Sequence, residues 1–252
     1  MQLWVLVKND FKESILDYKI LWLSLFFVLL GVSQPLILKN MDQLISNFSD
    51  TQGIKIAAKS LNPSPNEVFF STFSGEFNQI GLLVLIMSFM NIVVSEKNGE
   101  LLDLIFVRDI SPFKYMSAKF ISTSIVCYIS IFIGMLASYI VTYANFGYFS
   151  LFRFMEFSLL FAIWIAYIIS ITLLLSSFLN NYFIVGVITI VLAIIVNISF
   201  TGNVIIDFLI PSGYSHEIFN ILNNKNFNYF LIVSPLFWIL INLFVGSKLV
   251  KG

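Results

Sequence analysis

Apolar residues fall into six long runs free of Asp, Glu, Lys, Arg and His, at about 20 to 38, 79 to 94, 121 to 143, 157 to 179, 182 to 200 and 229 to 247. A helix needs roughly 20 such residues to cross about 30 Å of hydrocarbon. The pattern therefore predicts an all-α membrane protein with six transmembrane helices. The second run has only 16 residues, so its helix is expected to begin before Gln79, continuing from the segment ahead of it. Upstream of the first run, Leu3, Trp4, Val7, Phe11, Ile15 and Tyr18 recur at spacings of three and four, while Asp10, Glu13 and Asp17 form a separate stripe. This predicts an amphipathic helix over residues 1–19 lying in the membrane interface. The first run follows nineteen charged-rich residues and lacks a small-x-small site, so it reads as a retained span and not a cleaved signal.

Polar punctuation shapes the connections. In the long segment 39–78, Ser64-Pro65-Asn66-Glu67 has the form of a helix start, with Ser as N-cap, Pro in the first turn and Glu reaching back. Segment 201–228 is half apolar but broken by Gly202, Pro211 and Gly213, which predicts short broken helices before the last span.

Composition agrees with a bilayer as solvent. The chain is 58% hydrophobic and 11% charged, where a soluble domain carries about 25% charged residues; its mean hydropathy is +0.91. A formal net charge of zero gives no electrostatic footprint for nucleic acid. With residues 1–19 on the cytoplasmic side, the inner segments hold nine of the fourteen Lys and Arg residues and the outer ones five, with seven acids on each side. The positive-inside rule then places both termini in the cytoplasm.

Several kinds of chemistry lack their residues. The six runs contain no ionisable group to carry a proton or sodium ion, and Asn91, Asn197 and Asn242 are neutral amides. Intramembrane hydrolysis would need paired acids, a base or metal ligands at membrane depth; His216, the single histidine, falls in a connecting loop. Cys127, the single cysteine, reads as a packing residue. No phosphate-binding G-x-x-x-x-G-K-[ST] motif is present. Any work done on a substrate must draw its energy from elsewhere.

The connection 95–120 gathers eight of the chain's charged side chains: Glu96, Lys97, Glu100, Asp103, Arg108, Asp109, Lys114 and Lys119. Read as one helix over 95–106, it stacks Glu96, Glu100 and Asp103 at spacings of four and three, an arrangement that repels itself and gains from an outside basic partner. Arg108-Asp109 ends that helix, and Ser111-Pro112 starts another that runs through Lys114 and Lys119 into the third span. The order Glu96, Gly99, a leucine-rich turn, Arg108-Asp109-Ile110-Ser111, an aromatic pair and Lys119 resembles the signature loop of ABC-2-type permeases, the membrane subunits of ATP-binding cassette exporters. It departs from the family pattern at Glu100 in place of Thr, Asp109 in place of Pro, Pro112 in place of Arg and Ala118 in place of Gly. The layout of interfacial helix, six spans, large first outer loop and broken helices before the last span is similar as well.

That resemblance implies a non-catalytic permease subunit in a bacterial inner membrane, paired with a second permease, itself by preference, and with two copies of a cytoplasmic ATPase that binds the ATP and magnesium. It further implies that the loop 95–120 docks on the ATPase and transmits its closure, with Glu96, Gly99, Glu100, Asp103, Arg108, Asp109, Lys114 and Lys119 as the coupling residues. The implied cargo is an amphipathic peptide, drug or lipid-like molecule. A rival reading is a non-transporting immunity or scaffold protein that sequesters a toxic peptide. Within the spans, Ser130, Gly134 and Ser138, and likewise Ala162, Ala166 and Ser170, recur every four residues. Small residues at that spacing let helices approach closely, and the short loop between spans 3 and 4 predicts that these two helices pack as a hairpin.

Overall fold

A computed structural model describes residues 2–41, 63–99, 101–107, 110–201, 203–222 and 227–250. Among them regular structure is helical throughout. Helices α1 (Gln2–Leu16) and α2 (Lys19–Lys39) are followed by α3 (Pro65–Ser71), a π-helical stretch (Thr72–Gly81), α4 (Leu82–Phe89), α5 (Val94–Asn98) and α6 (Leu101–Phe106). Then come α7 (Pro112–Phe146), α8 (Leu151–Phe178), α9 (Tyr182–Ile198), α10 (Val204–Leu209), α11 (Ser212–Asn220), a 3-10 turn (Tyr229–Ile232) and α12 (Val233–Leu249). Five stretches are long and apolar enough to cross a membrane: Lys19–Lys39, Pro65–Asn98, Pro112–Phe146, Leu151–Phe178 and Tyr229–Leu249. The sixth expected crossing, Tyr182–Ile198, has 17 residues, or about 26 Å at 1.5 Å per residue. The chain is a multi-pass membrane protein, helical throughout its described regular structure.

Local chemistry explains the helix starts. At α3 the Ser64 N–H donates to Glu67 Oε2 at 2.6 Å while the Glu67 N–H donates to Ser64 Oγ at 3.4 Å, a complete capping box with Pro65 in the first turn. Helix therefore runs on from Pro65 into the second apolar run, as its shortness suggested. The continuation also carries Glu76 inside a stretch long enough to span. There the Ser33 hydroxyl of α2 donates to Glu76 Oε2 at 2.8 Å. A crossing helix that begins at Pro65 thus carries Glu67 in its first turn and Glu76 further in, whereas the apolar run beginning at Gln79 holds no acid.

Two seams hold the bundle. The Ser130, Gly134, Ser138 stripe of α7 packs against α2, while α7 and α8 also lie against each other as a hairpin. A Cβ on Gly134 would lie 2.5 Å from Phe27 Cβ and 2.5 Å from Phe27 O, and one on Gly31 would lie 2.4 Å from Gly134 O. Ser130 and Ser138 are fully buried, and their hydroxyls find no hydrogen-bond partner among the described residues; their contribution is small size. On α8, Ala162 and Ala166 are half-buried, and Ser170 accepts at Oγ from Asn242 Nδ2 of α12 at 2.9 Å. The two stripes therefore serve different neighbours. A wall of aromatic rings fills the other half of the bundle, where Phe69, Phe73 and Phe77 meet Phe149, Phe157 and one another at centroid distances of 4.5 to 5.0 Å.

Chain breaks fall at Gly147 (φ 100°), which ends α7, and at Pro211, a break expected from the sequence, which separates α10 from α11. Tyr18 adopts a left-handed φ of 56° between α1 and α2 and turns α1 back onto α7. Consequently the single apolar stripe expected on α1 divides. Val7 is buried and Phe11 packs on the core, while Trp4, Ile15 and Tyr18 stay exposed. Near the end of α12, a Cβ on Gly246 would meet Met116 of α7 and Leu174 of α8. The terminal helices, the segment 94–106 and the start of α7 thus gather at one end of the bundle.

Candidate functional site

At that end, Ser111 caps α7, its Oγ accepting the Lys114 N–H at 3.4 Å, and the helix then presents Tyr115 and Lys119 one turn apart on the same face. Lys119 is 4% exposed. Its Nζ lies 2.9 Å from Asp10 Oδ1 of α1 and 2.5 Å from Glu96 Oε1 of α5. The Tyr115 hydroxyl donates to the second Glu96 oxygen at 2.5 Å. Three elements distant in sequence are thereby pinned to one ammonium. Two carboxylates face one cation, so the cluster carries a net negative charge.

Other contacts fix α5 from the opposite side. The helix preceding it opens at Met90–Val93, and Ser176 Oγ of α8 accepts the freed N–H groups of Val93 at 3.3 Å and Val94 at 3.2 Å. Lys97 Nζ donates to the Ser177 carbonyl at 3.3 Å, and Asn98 Nδ2 to that of Asn180 at 3.2 Å. Segment 93–98 is a peg wedged between α1, α7 and the end of α8. Beside it lies a polar cavity of about 380 Å³ bordered by Asp10, Lys19, Asn91, Glu96, Lys119 and Ser122.

This geometry revises the reading of the charged connection. Gly99 ends α5, so residues 95–106 form two short helices where one was expected. Glu96 and Lys119 come together but face inward, and an acid held by both a lysine and a tyrosine has little left to offer a soluble partner. Lys114 sits in the first turn of α7, exposed. Glu100, Arg108 and Asp109 lie outside the described residues, as does the Asp103 side chain. Asp10 and Tyr115 were not anticipated. A signal for Asp10 exists, because Val7, Asp10, Phe11 and Ser14 follow the i, i+3, i+4, i+7 spacing of a buried face, which places this acid on the packed side of α1.

Burial holds the Asp10 carboxyl above the ordinary carboxylate range, with Glu96 and Glu13 adding to the effect and Lys119 opposing it. A carboxyl that binds its proton more tightly when folded stabilises the fold below the ordinary pKa of about 3.9, and that contribution is lost as pH rises through the raised value. Asp10→Asn leaves Lys119 paired with Glu96 alone. Its expected melting temperature in detergent at neutral pH equals or exceeds that of the native protein, and its decline with pH just above the carboxylate range is flatter. A clear loss of stability at neutral pH would refute this account of the cluster.

A second feature lies between the helix 65–98 and α9. An apolar groove of about 420 Å³, bordered by Leu82, Leu83, Ile86, Ile190 and Ile194, lies next to a more polar one of about 350 Å³ bordered by Ser74, Ser215, His216 and Asn220. Asn78 and Asn197 belong to both. They are linked in a chain, Trp164 Nε1 donating to Asn78 Oδ1 at 3.1 Å and Asn78 Nδ2 to Asn197 Oδ1 at 3.1 Å. His216 stacks on Phe200 with centroids 4.1 Å apart. Together the neighbouring grooves are amphipathic, with a greasy end and a hydrogen-bonding end.

No family model matches the sequence. The uncharacterized transmembrane protein YxlG of Bacillus subtilis (strain 168) is 28% identical over 166 residues, which cover 66% of this chain and 63% of that protein. The chain thus matches just under two thirds of the length of this relative, whose name agrees with a membrane protein.

Proposed function

We propose that this chain is the permease subunit of an ATP-driven exporter of the ABC-2 type. It would sit in a bacterial inner membrane with both termini in the cytoplasm and cross six times, with Tyr182–Ile198 as the fifth crossing. Residues 1–19 form its interfacial helix, and the chain pairs with a second permease, by preference itself, and with two cytoplasmic ATPase subunits that bind the ATP and magnesium. The observation that carries this reading is the wedging of segment 93–98 by Lys119, Tyr115 and Ser176. A push received on residues 99–110 passes through this peg into α7, α8 and α1 together. The cluster is the anchor of the lever, and the charges beyond Gly99, among them Glu100, Asp103, Arg108 and Asp109, are its contact surface. The amphipathic groove suits cargo with an apolar body and a polar end, such as an amphipathic peptide, drug or lipid-like molecule.

Co-expression with a soluble ATPase encoded beside it is the first test, and a complex that survives mild detergent is expected. In that complex Arg108→Glu and Glu100→Lys should insert normally and keep ATPase activity, but transport should fall on the order of tenfold, equivalent to about 1.4 kcal/mol of lost contact. Full transport in both variants, or failure to capture any ATPase, would leave the sequestering protein as the better reading.

A further inference from the structure

On the far side of the bundle from the charge cluster, where α8 and the last crossing begin, Phe152, Arg153, Glu156, Phe227 and Tyr229 surround a pocket of about 430 Å³. Both crossings start here, so the pocket lies at headgroup depth. Its rings are placed as interfacial aromatics are: Phe152 is 79% and Tyr229 61% exposed. Arg153 and Glu156 are half-buried and three residues apart on one helical face, a spacing that sets Cβ atoms about 5–6 Å apart. The Tyr229 hydroxyl donates to Glu156 Oε1 at 2.5 Å and fixes the carboxylate at the pocket wall.

The pairing of charges selects the ligand. A simple anion would meet Arg153 favourably but face the Glu156 carboxylate, and a simple cation the reverse. A zwitterion whose phosphate and ammonium are separated by a two-carbon link satisfies both. A guanidinium has five N–H donors and can hold a phosphate while serving another acceptor; a carboxylate flanked by aromatic faces suits an ammonium. We propose that this pocket binds the phosphoethanolamine headgroup of a membrane phospholipid, phosphate toward Arg153 and ammonium toward Glu156, with the acyl chains leaving along the exposed side of Phe152 and Tyr229. This site does not depend on the exporter reading and would hold for any function of the chain.

The test is native mass spectrometry of the purified full-length protein with phosphatidylethanolamine, phosphatidylglycerol and N-acetyl phosphatidylethanolamine of identical chains. Phosphatidylethanolamine should be retained about tenfold better than either of the others, about 1.4 kcal/mol in affinity. Glu156→Gln, which keeps an acceptor for Tyr229, should erase that preference, and Arg153→Gln should weaken retention of all three. Equal retention of the three lipids by the native protein overturns the proposal, and this comparison needs no variant to fold. A preference unchanged in Glu156→Gln overturns it too. Displacement of the lipid by equimolar soluble glycerophosphoethanolamine would show a solute site and likewise defeat the assignment to a lipid.

Discussion

Lys119→Met is expected to destabilise the protein by about 3–5 kcal/mol, the range seen when one partner of a buried ion pair is removed. The reason is what remains. Asp10 and Glu96 would face one another across an apolar side chain, with Tyr115 alone to satisfy Glu96. Both acids border the polar cavity but keep only 16% and 18% of their side-chain surface exposed, so water compensates them poorly while α1 and α5 stay held by Val7 and by the Ser176 and Ser177 contacts. Neutralising the whole set in Asp10→Asn/Glu96→Gln/Lys119→Met should recover most of the loss, because hydrogen-bonding amides replace stranded charges. Thermal melts and the monodisperse fraction after detergent extraction measure both outcomes. A single variant as stable as the native protein would mean that the ammonium does not join the three elements. On the proposed exporter reading, a triple variant that is stable yet transports poorly would mean that the cluster matters for transmission and not only for folding.

Sequence pattern located most of the fold because bilayers impose a strong length and polarity code. The Ser64 and Ser111 caps and the break near Pro211 are local signals, and each has its physical counterpart in the helices. What spacing could not supply was the partner across space. Glu96, Glu100 and Asp103 formed a row on a helical projection, but Gly99 interrupts that helix and Lys119, 23 residues on, takes Glu96 inward. The Ser130, Gly134, Ser138 stripe announced a close approach without saying to which helix. The glycine on the other side of the contact is Gly31, about a hundred residues upstream. Glu76 escaped notice because the apolar run starts after it, although the capping box at Ser64 already implied helix through that position.

That glycine crossing supports the second large prediction. Between α2 and α7 a methyl group on Gly134 has backbone on its path, with Phe27 C at 2.6 Å as well as Phe27 O and Cβ at 2.5 Å. Backbone cannot rotate aside as a side chain does, so Gly134→Ala must push two long helices apart and open gaps along the whole seam. Lipid offers no hydrophobic gain for helix contact; close van der Waals packing is what holds such a pair together, and its loss is expected to cost about 3 kcal/mol, at the upper end of overpacking effects. Gly31→Ala should behave alike, since its Cβ would strike Gly134 O. Gly75→Ala is the control. Nothing lies within 4 Å of its Cβ, and replacing a helical glycine by alanine in open space favours the helix by about 0.5–1 kcal/mol. A melt of Gly134→Ala no lower than that of Gly75→Ala would disprove the tight crossing. The expected ordering carries a corollary for the proposed exporter: α7 receives the peg at its base and is locked to α2 at its middle, so if the chain is that permease, widening the seam should weaken export before it abolishes folding.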